Sequence, residues 1–220
     1  MTELTNAIPE STRATNMEKR RMAIMSHTRK IIAEEGFDAL KLRDLAKRVG
    51  VTVPTIYNLI GGKPEILSSI ITELVERLAQ VQSRVENDDI ELAFEVQIEK
   101  LAELFASDER YYKAAFIAGD RSGLFEQRSK SGIYARSVQL PIDACVEAQR
   151  VGLLRGQISA TQLGTQIYGS YRLARQDWTH GYFNLKTFRQ QALTGVFLCL
   201  AADANAEFHE RLISRVKALK

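Results

Sequence analysis

The sequence predicts an all-α fold, and three observations carry that reading. Apolar residues recur at spacings of three and four, as in Met22, Met25 and Ile32, or Ile66, Ile70, Leu74, Leu78 and Val81, which marks one face of a helix. Only four prolines interrupt 220 residues. No stretch alternates apolar and polar residues as a half-buried strand would, and no internal repeat is visible.

Each helix has its own signals. Thr15-x-x-Glu18 reads as a capping box that starts the first helix, which should run to Glu35 and stop at Gly36. Short helices are predicted near 43–49 and 53–59. A longer one begins at Pro64, whose fixed φ suits a first helical position, and runs to about Arg84, where Asn87 to Asp89 breaks it. Further helices are predicted near 90–106, 108–118, 127–151 with a bend at Pro141, 160–180, 186–203 and 206–219.

Composition limits the function. With 45% hydrophobic and 26% charged residues the chain can bury a sizeable core. No apolar run approaches the roughly 20 residues that cross a bilayer, and the polar N-terminus does not read as a signal peptide, so a cytoplasmic location is expected. Cys145 and Cys199 form no CxxC and read as buried free thiols. The net charge is +3, but residues 1–63 hold eleven Lys and Arg against seven Asp and Glu. The remainder is slightly acidic. A basic end on a near-neutral body suggests an anionic partner met by that end, although a solvated charged face is the simpler reading of charge alone.

The stretch VGVTVPTIYNLIGGKPEIL, residues 49–67, sharpens the choice. The apolar positions Leu45, Ala46, Val49, Val51 and Ile56 converge from two short helices, and Ala46 is small enough for a close crossing. Gly50 falls where the first helix must end in a left-handed residue. Thr52 is placed to cap the second helix through its hydroxyl, and Pro54 is tolerated in the first turn because the N–H it lacks has no helical partner there. The pattern is a helix-turn-helix whose second helix, about two turns long, needs packing to persist. Its outer side would carry Thr52, Val53, Thr55, Tyr57 and Asn58, the side such a helix presents to the major groove.

These residues resemble the TetR family of bacterial transcriptional regulators. The resemblance spans about residues 20–67 and rests on Gly36-Phe37, Arg43-Asp44-Leu45-Ala46, Gly50-Val51-Thr52, Thr55-Ile56-Tyr57-Asn58, Lys63 and Glu65-Ile66-Leu67. Three positions depart from the family's usual pattern. Lys41 replaces a capping Thr or Ser, so Asp44 loses its capping-box partner, Ile60 replaces a Phe, and Pro64 replaces an acidic residue. The resemblance implies a flexible arm over residues 1–16, a DNA-binding domain over 17–63, and a ligand-binding and dimerisation domain over 64–220. It also implies a homodimer on a palindromic double-stranded operator, most simply a repressor released by a small molecule. Tyr57 and Lys63 would contact phosphates, Thr52, Thr55 and Asn58 phosphates or base edges, and Val53 and Pro54 a thymine methyl. Thr52 serves equally as a cap alone. Arg43 would face phosphate or solvent.

The body is rich in aromatic residues, most of which serve as core at helical spacing. An apolar cavity with a few polar groups is the default ligand site, with Phe94, Phe105, Phe116, Tyr134, Tyr171 and Trp178 as candidates. Arg172 and Arg175 hint at an acidic ligand and could equally belong to an interface or the surface. Two apolar stripes, Leu163, Ile167, Tyr171, Ala174 and Trp178, and Leu193, Val196, Phe197 and Leu200, would pair with their symmetry mates in a four-helix interface. The helix from Pro64 to Arg84 would be the only rigid connection between headpiece and body.

No HExxH, GxSxG or phosphate-cradling glycine loop is present, and His27, His180 and His209 stand singly, so no catalytic residue, metal or cofactor is expected. A helical small-molecule or lipid carrier without DNA function would account for the body but not for residues 49–67. A DNA-binding regulator without a ligand remains the other alternative.

Overall fold

The structure is a computed structural model that describes residues 10–82, 89–126 and 132–219. Ten α-helices run through these residues: α1 (Glu10–Glu35), α2 (Leu42–Val49), α3 (Val53–Leu59), α4 (Lys63–Gln82), α5 (Ile90–Ser107), α6 (Glu109–Arg121), α7 (Ile133–Arg150), α8 (Ala160–Thr179), α9 (Leu185–Ala201) and α10 (Ala206–Ala218). A short 3₁₀ turn, Phe37–Ala39, joins α1 to α2. No strand occurs among the described residues beyond an isolated bridge between Leu154 and Ala204.

Most predicted helices are present within a few residues of their expected ends, and the differences have physical causes. Helix α1 begins at Glu10, ahead of the predicted cap at Thr15, because residues 10–35 contain neither proline nor glycine to stop the helix propagating backwards. Residues 10–16 of the expected arm are therefore helical. Helix α4 starts at Lys63 with Pro64 in its first turn, and the Glu65 carboxylate reaches back to accept from the Gly62 N–H at 2.8 Å. The predicted ends at Arg84 and 127 lie outside the described residues, as do the side chains of Leu74, Leu78 and Val81. Helix α7 runs through a buried Pro141, which cannot donate to the Ser137 carbonyl one turn back.

Helices α1 to α3 pack on one another through Ile24, Ile31, Ile32, Leu45, Ala46 and Ile56. The same buried cluster continues into helices α4 to α10, where it centres on Phe105, Trp178 and Phe188. Within this body α7, α8 and α9 lie side by side at very close range: a Cβ on Gly164 of α8 would meet Ile142 at 2.6 Å, and one on Gly195 of α9 would meet Ser170 at 2.4 Å.

Two sequence expectations are corrected by this packing. Leu163, Ile167, Ala174 and Trp178 of the first stripe, and Leu193, Val196, Phe197 and Leu200 of the second, are buried within the single chain. They face α5, α6, α7 and α10 and leave nothing for a partner. The apolar side chains that α8 and α9 turn outward are Leu173, 61% exposed, and Leu198, 50% exposed. The second correction concerns the connection: α4 is not the only link from headpiece to body, because α1 and the 3₁₀ turn also pack on α6.

No described helix is long and apolar enough to cross a membrane.

Candidate functional site

The helix-turn-helix is built by its caps. Lys41 stands at the N-cap of α2 with no side-chain bond, as the missing Thr or Ser foretold. Gly50 ends α2 at φ 72° and ψ 35°, the left-handed conformation that returns its N–H to the Ala46 and Lys47 carbonyls. Thr52 Oγ1 then accepts from the Thr55 N–H at 3.3 Å, and the two hydroxyls lie 2.8 Å apart. Past α3, Gly61 adopts φ 112°, and a Cβ there would sit 2.6 Å from that of Glu65. Only glycine fits that turn.

Ile56 is the residue that anchors α3 in the headpiece core, and the remaining faces are left for other work. Tyr57 is 56% exposed, and its ring edge lies against Gly62. Thr52, Pro54 and Asn58 are exposed, as is Arg43 on α2. Thr55 is half-buried with its hydroxyl shared with Thr52, and Val53 packs partly against the core. Lys63 Nζ donates to the Asp38 carbonyl at 3.3 Å and lies 5.1 Å from the centre of the Phe37 ring. Its charge is thus held beside the 3₁₀ turn that joins α1 to α2.

The body holds a cavity of about 70 Å³. Of the candidate ligand residues, Phe94, Phe116, Tyr171 and Arg175 line it. Phe105 and Trp178 stack on each other at 4.7 Å in the core, and Tyr134 stands edge-on to Tyr168. None of these three lines the cavity among the described residues. Arg172 is held by Glu126 at 2.5 Å, outside the lining. The lining also includes Gln97 from α5 and Ser137 from α7, which sequence reasoning missed. Small polar residues on a helix give no sign of which face is enclosed; only the break at Pro141 pointed to that part of α7.

Arg175 is 1% exposed. Its Nη2 donates to Asp120 Oδ1 at 2.8 Å, while its Nη1 and Asp120 Oδ2 have no hydrogen-bond partner. Its guanidinium carbon stands 4.6 Å from the centre of the Phe116 ring and 4.3 Å from that of Phe125. The phenols of Tyr168 and Tyr171 are pushed above their ordinary range by burial, which outweighs the pull of Arg175, so both stay neutral.

The three histidines each bond a backbone carbonyl through Nδ1: His27 with Ala23, His180 with Gln176 and His209 with Ala201. No group of His, Cys, Asp or Glu among the described residues is arranged to hold a metal. The Cys145 thiol is buried, and burial, then the neighbouring Cys199 and Asp203, pushes it up to about 12.

A capped helix-turn-helix thus stands on an aromatic, cavity-bearing helical body. Residues 24–70 match the model of the family described as bacterial regulatory proteins, tetR family. Residues 24–70 thus carry the N-terminal domain of that family, and the chain as a whole shares an all-helical fold with its solved members. Its fold is similar to that of SmeT, the repressor of the Stenotrophomonas maltophilia multidrug efflux pump SmeDEF, with a TM-score of 0.66 at 14% identity, over 86% of this chain and 92% of that one. A TetR-family regulator from Pectobacterium atrosepticum has a TM-score of 0.63 at 19% identity, covering 86% and 96% of the two chains. A gamma-butyrolactone receptor (ArpA-like protein) has a TM-score of 0.58 at 14% identity, covering 92% and 97%. No curated protein matches the sequence.

Proposed function

We propose that the protein is a transcriptional repressor that binds a palindromic operator as a homodimer and is released by a small molecule bound in its helical body. The observation that carries this reading is the exposed side of α3, where Tyr57, Asn58 and Thr52 stand free of the core on a helix that Ile56 holds rigidly. These side chains do not enter the core. They supply the phenol, amide and hydroxyl that meet phosphates and base edges in a major groove, and Arg43 and Lys63 add charge beside them.

Residues 17–63 then act as the DNA-binding domain and residues 64–220 as the ligand-binding and dimerisation domain. The outward faces of α8 and α9, through Leu173 and Leu198, pair with a second copy, and the two α3 helices come to lie about 34–36 Å apart, one turn of DNA. A compound that binds the free form better than the operator-bound form by about 1–3 kcal/mol lowers operator affinity several-fold to a hundred-fold. The similarity of fold to an efflux-pump repressor and to a gamma-butyrolactone receptor agrees with a regulator of this kind.

The test is a gel shift with the intergenic DNA beside the protein's own gene. A retarded band that an excess of nonspecific DNA does not compete away supports the reading. Competition by any DNA to the same extent refutes sequence-specific regulation and returns the chain to the small-molecule carriers.

A further inference from the structure

The cavity in the body says what its ligand must offer. Arg175 is a buried cation that helps line the cavity, and one of its guanidinium nitrogens, Nη1, has no hydrogen-bond partner. An unmet donor on a buried charged group is costly, and an acceptor supplied by a ligand would remove that cost. The charge of Arg175 is already balanced by Asp120 at 2.8 Å, and no other charged residue stands among the described lining. Around it the walls are mainly apolar, with Ile98, Leu101, Leu140 and Val196 on three different helices, and their other polar groups, on Gln97, Ser137, Tyr168 and Tyr171, are uncharged. A carboxylate bound there would bring a second negative charge into a site whose one positive charge is taken, and would have to displace Asp120 or remain unpaired. A neutral acceptor meets Nη1 at no such cost.

Resting on the reading of this cavity as the regulatory site, we propose that its ligand is a neutral, mainly apolar molecule carrying a carbonyl-type oxygen that accepts a hydrogen bond from Arg175 Nη1. Arg175 is then the residue that selects for the oxygen, Asp120 sets the charge that excludes acids, and the rings of Phe116 and Phe125 hold the guanidinium in place. The two arginines that read in sequence as a hint of an acidic ligand lead to the opposite class, because each meets a carboxylate of the chain itself.

The test uses three six-membered-ring probes of similar bulk, cyclohexanone, methylenecyclohexane and cyclohexanecarboxylate, titrated into the full chain with detection by protein NMR. Cyclohexanone should bind more tightly than cyclohexanecarboxylate at neutral pH. The ratio of cyclohexanone to methylenecyclohexane affinity, which cancels the bulk apolar contribution, should fall about tenfold in an Arg175→Met, Asp120→Asn double variant, the loss of one charge-assisted hydrogen bond. Should that variant fail to fold, the guanidinium N–H signals of Arg175 in the unaltered protein give the answer: they should move with cyclohexanone and stay in place with methylenecyclohexane. Tighter binding of the carboxylate, an unchanged ratio, unmoved guanidinium signals or no binding of any probe each overturns the proposal. Operator release is read separately by gel shift. A ketone preference without any effect on operator binding would leave the cavity chemistry standing and remove the regulatory role instead.

Discussion

Arg29 Nε donates to Asp108 Oδ2 at 3.2 Å, tying α1 of the headpiece to the N-cap of α6 in the body. Asp108 has two tasks, since its other oxygen accepts from the Tyr111 N–H at 3.4 Å and caps α6. The guanidinium of Arg29 lies 4.4 Å from the centre of the Tyr111 ring and 5.3 Å from that of Tyr112. The far end of α6 carries Phe116 and Asp120, the partners of Arg175. One helix therefore touches both the headpiece and the cavity's polar group.

The double role of Asp108 separates two variants. Asn caps a helix as well as Asp does but brings no charge, so Asp108→Asn should lose only the ion pair, worth under about 1 kcal/mol for partners this exposed. Asp108→Ala loses the cap as well and should be about 1 kcal/mol less stable than Asp108→Asn in urea unfolding. Equal stability of the two would mean that the cap contributes nothing.

Lys63 and Tyr57 are proposed phosphate contacts. Lys63→Ala should weaken operator binding by a similar factor for every DNA sequence and reduce the salt dependence by about 0.9 in log–log slope per subunit. The Asp38 carbonyl that now receives its ammonium is an exposed backbone group that water satisfies, so stability should hardly change. An unaltered slope would take Lys63 out of the interface.

On α3, Asn58 and Thr52 should behave differently although both are exposed. Asn58→Ala should relax discrimination at particular operator positions by about 1–3 kcal/mol, measured against a panel of single-base variants. Thr52→Ala removes the cap seen in the structure, so it should cost about 1 kcal/mol of stability and weaken binding evenly across the panel. If Asn58→Ala also weakened all sequences alike, its contact would be to the backbone.

The proposed dimer surface can be tested by exchanging buried and exposed residues. Leu173→Glu with Leu198→Glu places charge on the outward faces and should give folded monomers in sedimentation, with operator affinity lost. Phe197→Glu, at a side chain fully buried in one chain, should unfold the body instead. Folded dimers after both leucine changes would move the interface elsewhere.

Stability should fall in alkali. The Cys145 thiol is raised from 9.0 to about 12 by burial, and the Tyr168 phenol is also raised, chiefly by burial. A raised group keeps its proton in the folded state while the unfolded chain gives it up, so the stability it confers is complete below the unfolded value and is lost as pH rises through the folded one. For Cys145 that window is pH 9.0 to about 12. Urea midpoints measured from pH 8 upward should decline, and a Cys145→Ser variant should decline less steeply at its start.

Much of the headpiece could be read in the residues because its signals are local. Gly50 and Thr52 act on backbone groups within four residues of themselves, so the chain states its own turn and cap. The start of α1 was misplaced for the opposite reason: Thr15-x-x-Glu18 has the composition of a cap, but a cap forms only where the preceding residues leave the helix, and nothing between Glu10 and Thr15 makes them do so.

The sequence by itself determined the helical class, the position of the helix-turn-helix and the residue types on its exposed side, since periodicity and capping depend on neighbours along the chain. Tertiary structure alone decided which way the body's helices face. The stripes on α8 and α9 read as an interface, but periodicity gives a helix an apolar face without saying what covers it; the packing of α5, α6, α7 and α10 turned those stripes inward and left Leu173 and Leu198 outside. The same holds for charge. Asp120 and Arg175 lie 55 residues apart, and only the fold brings them to 2.8 Å, where an arginine that alone would favour an acid becomes half of a neutral pair with one donor to offer.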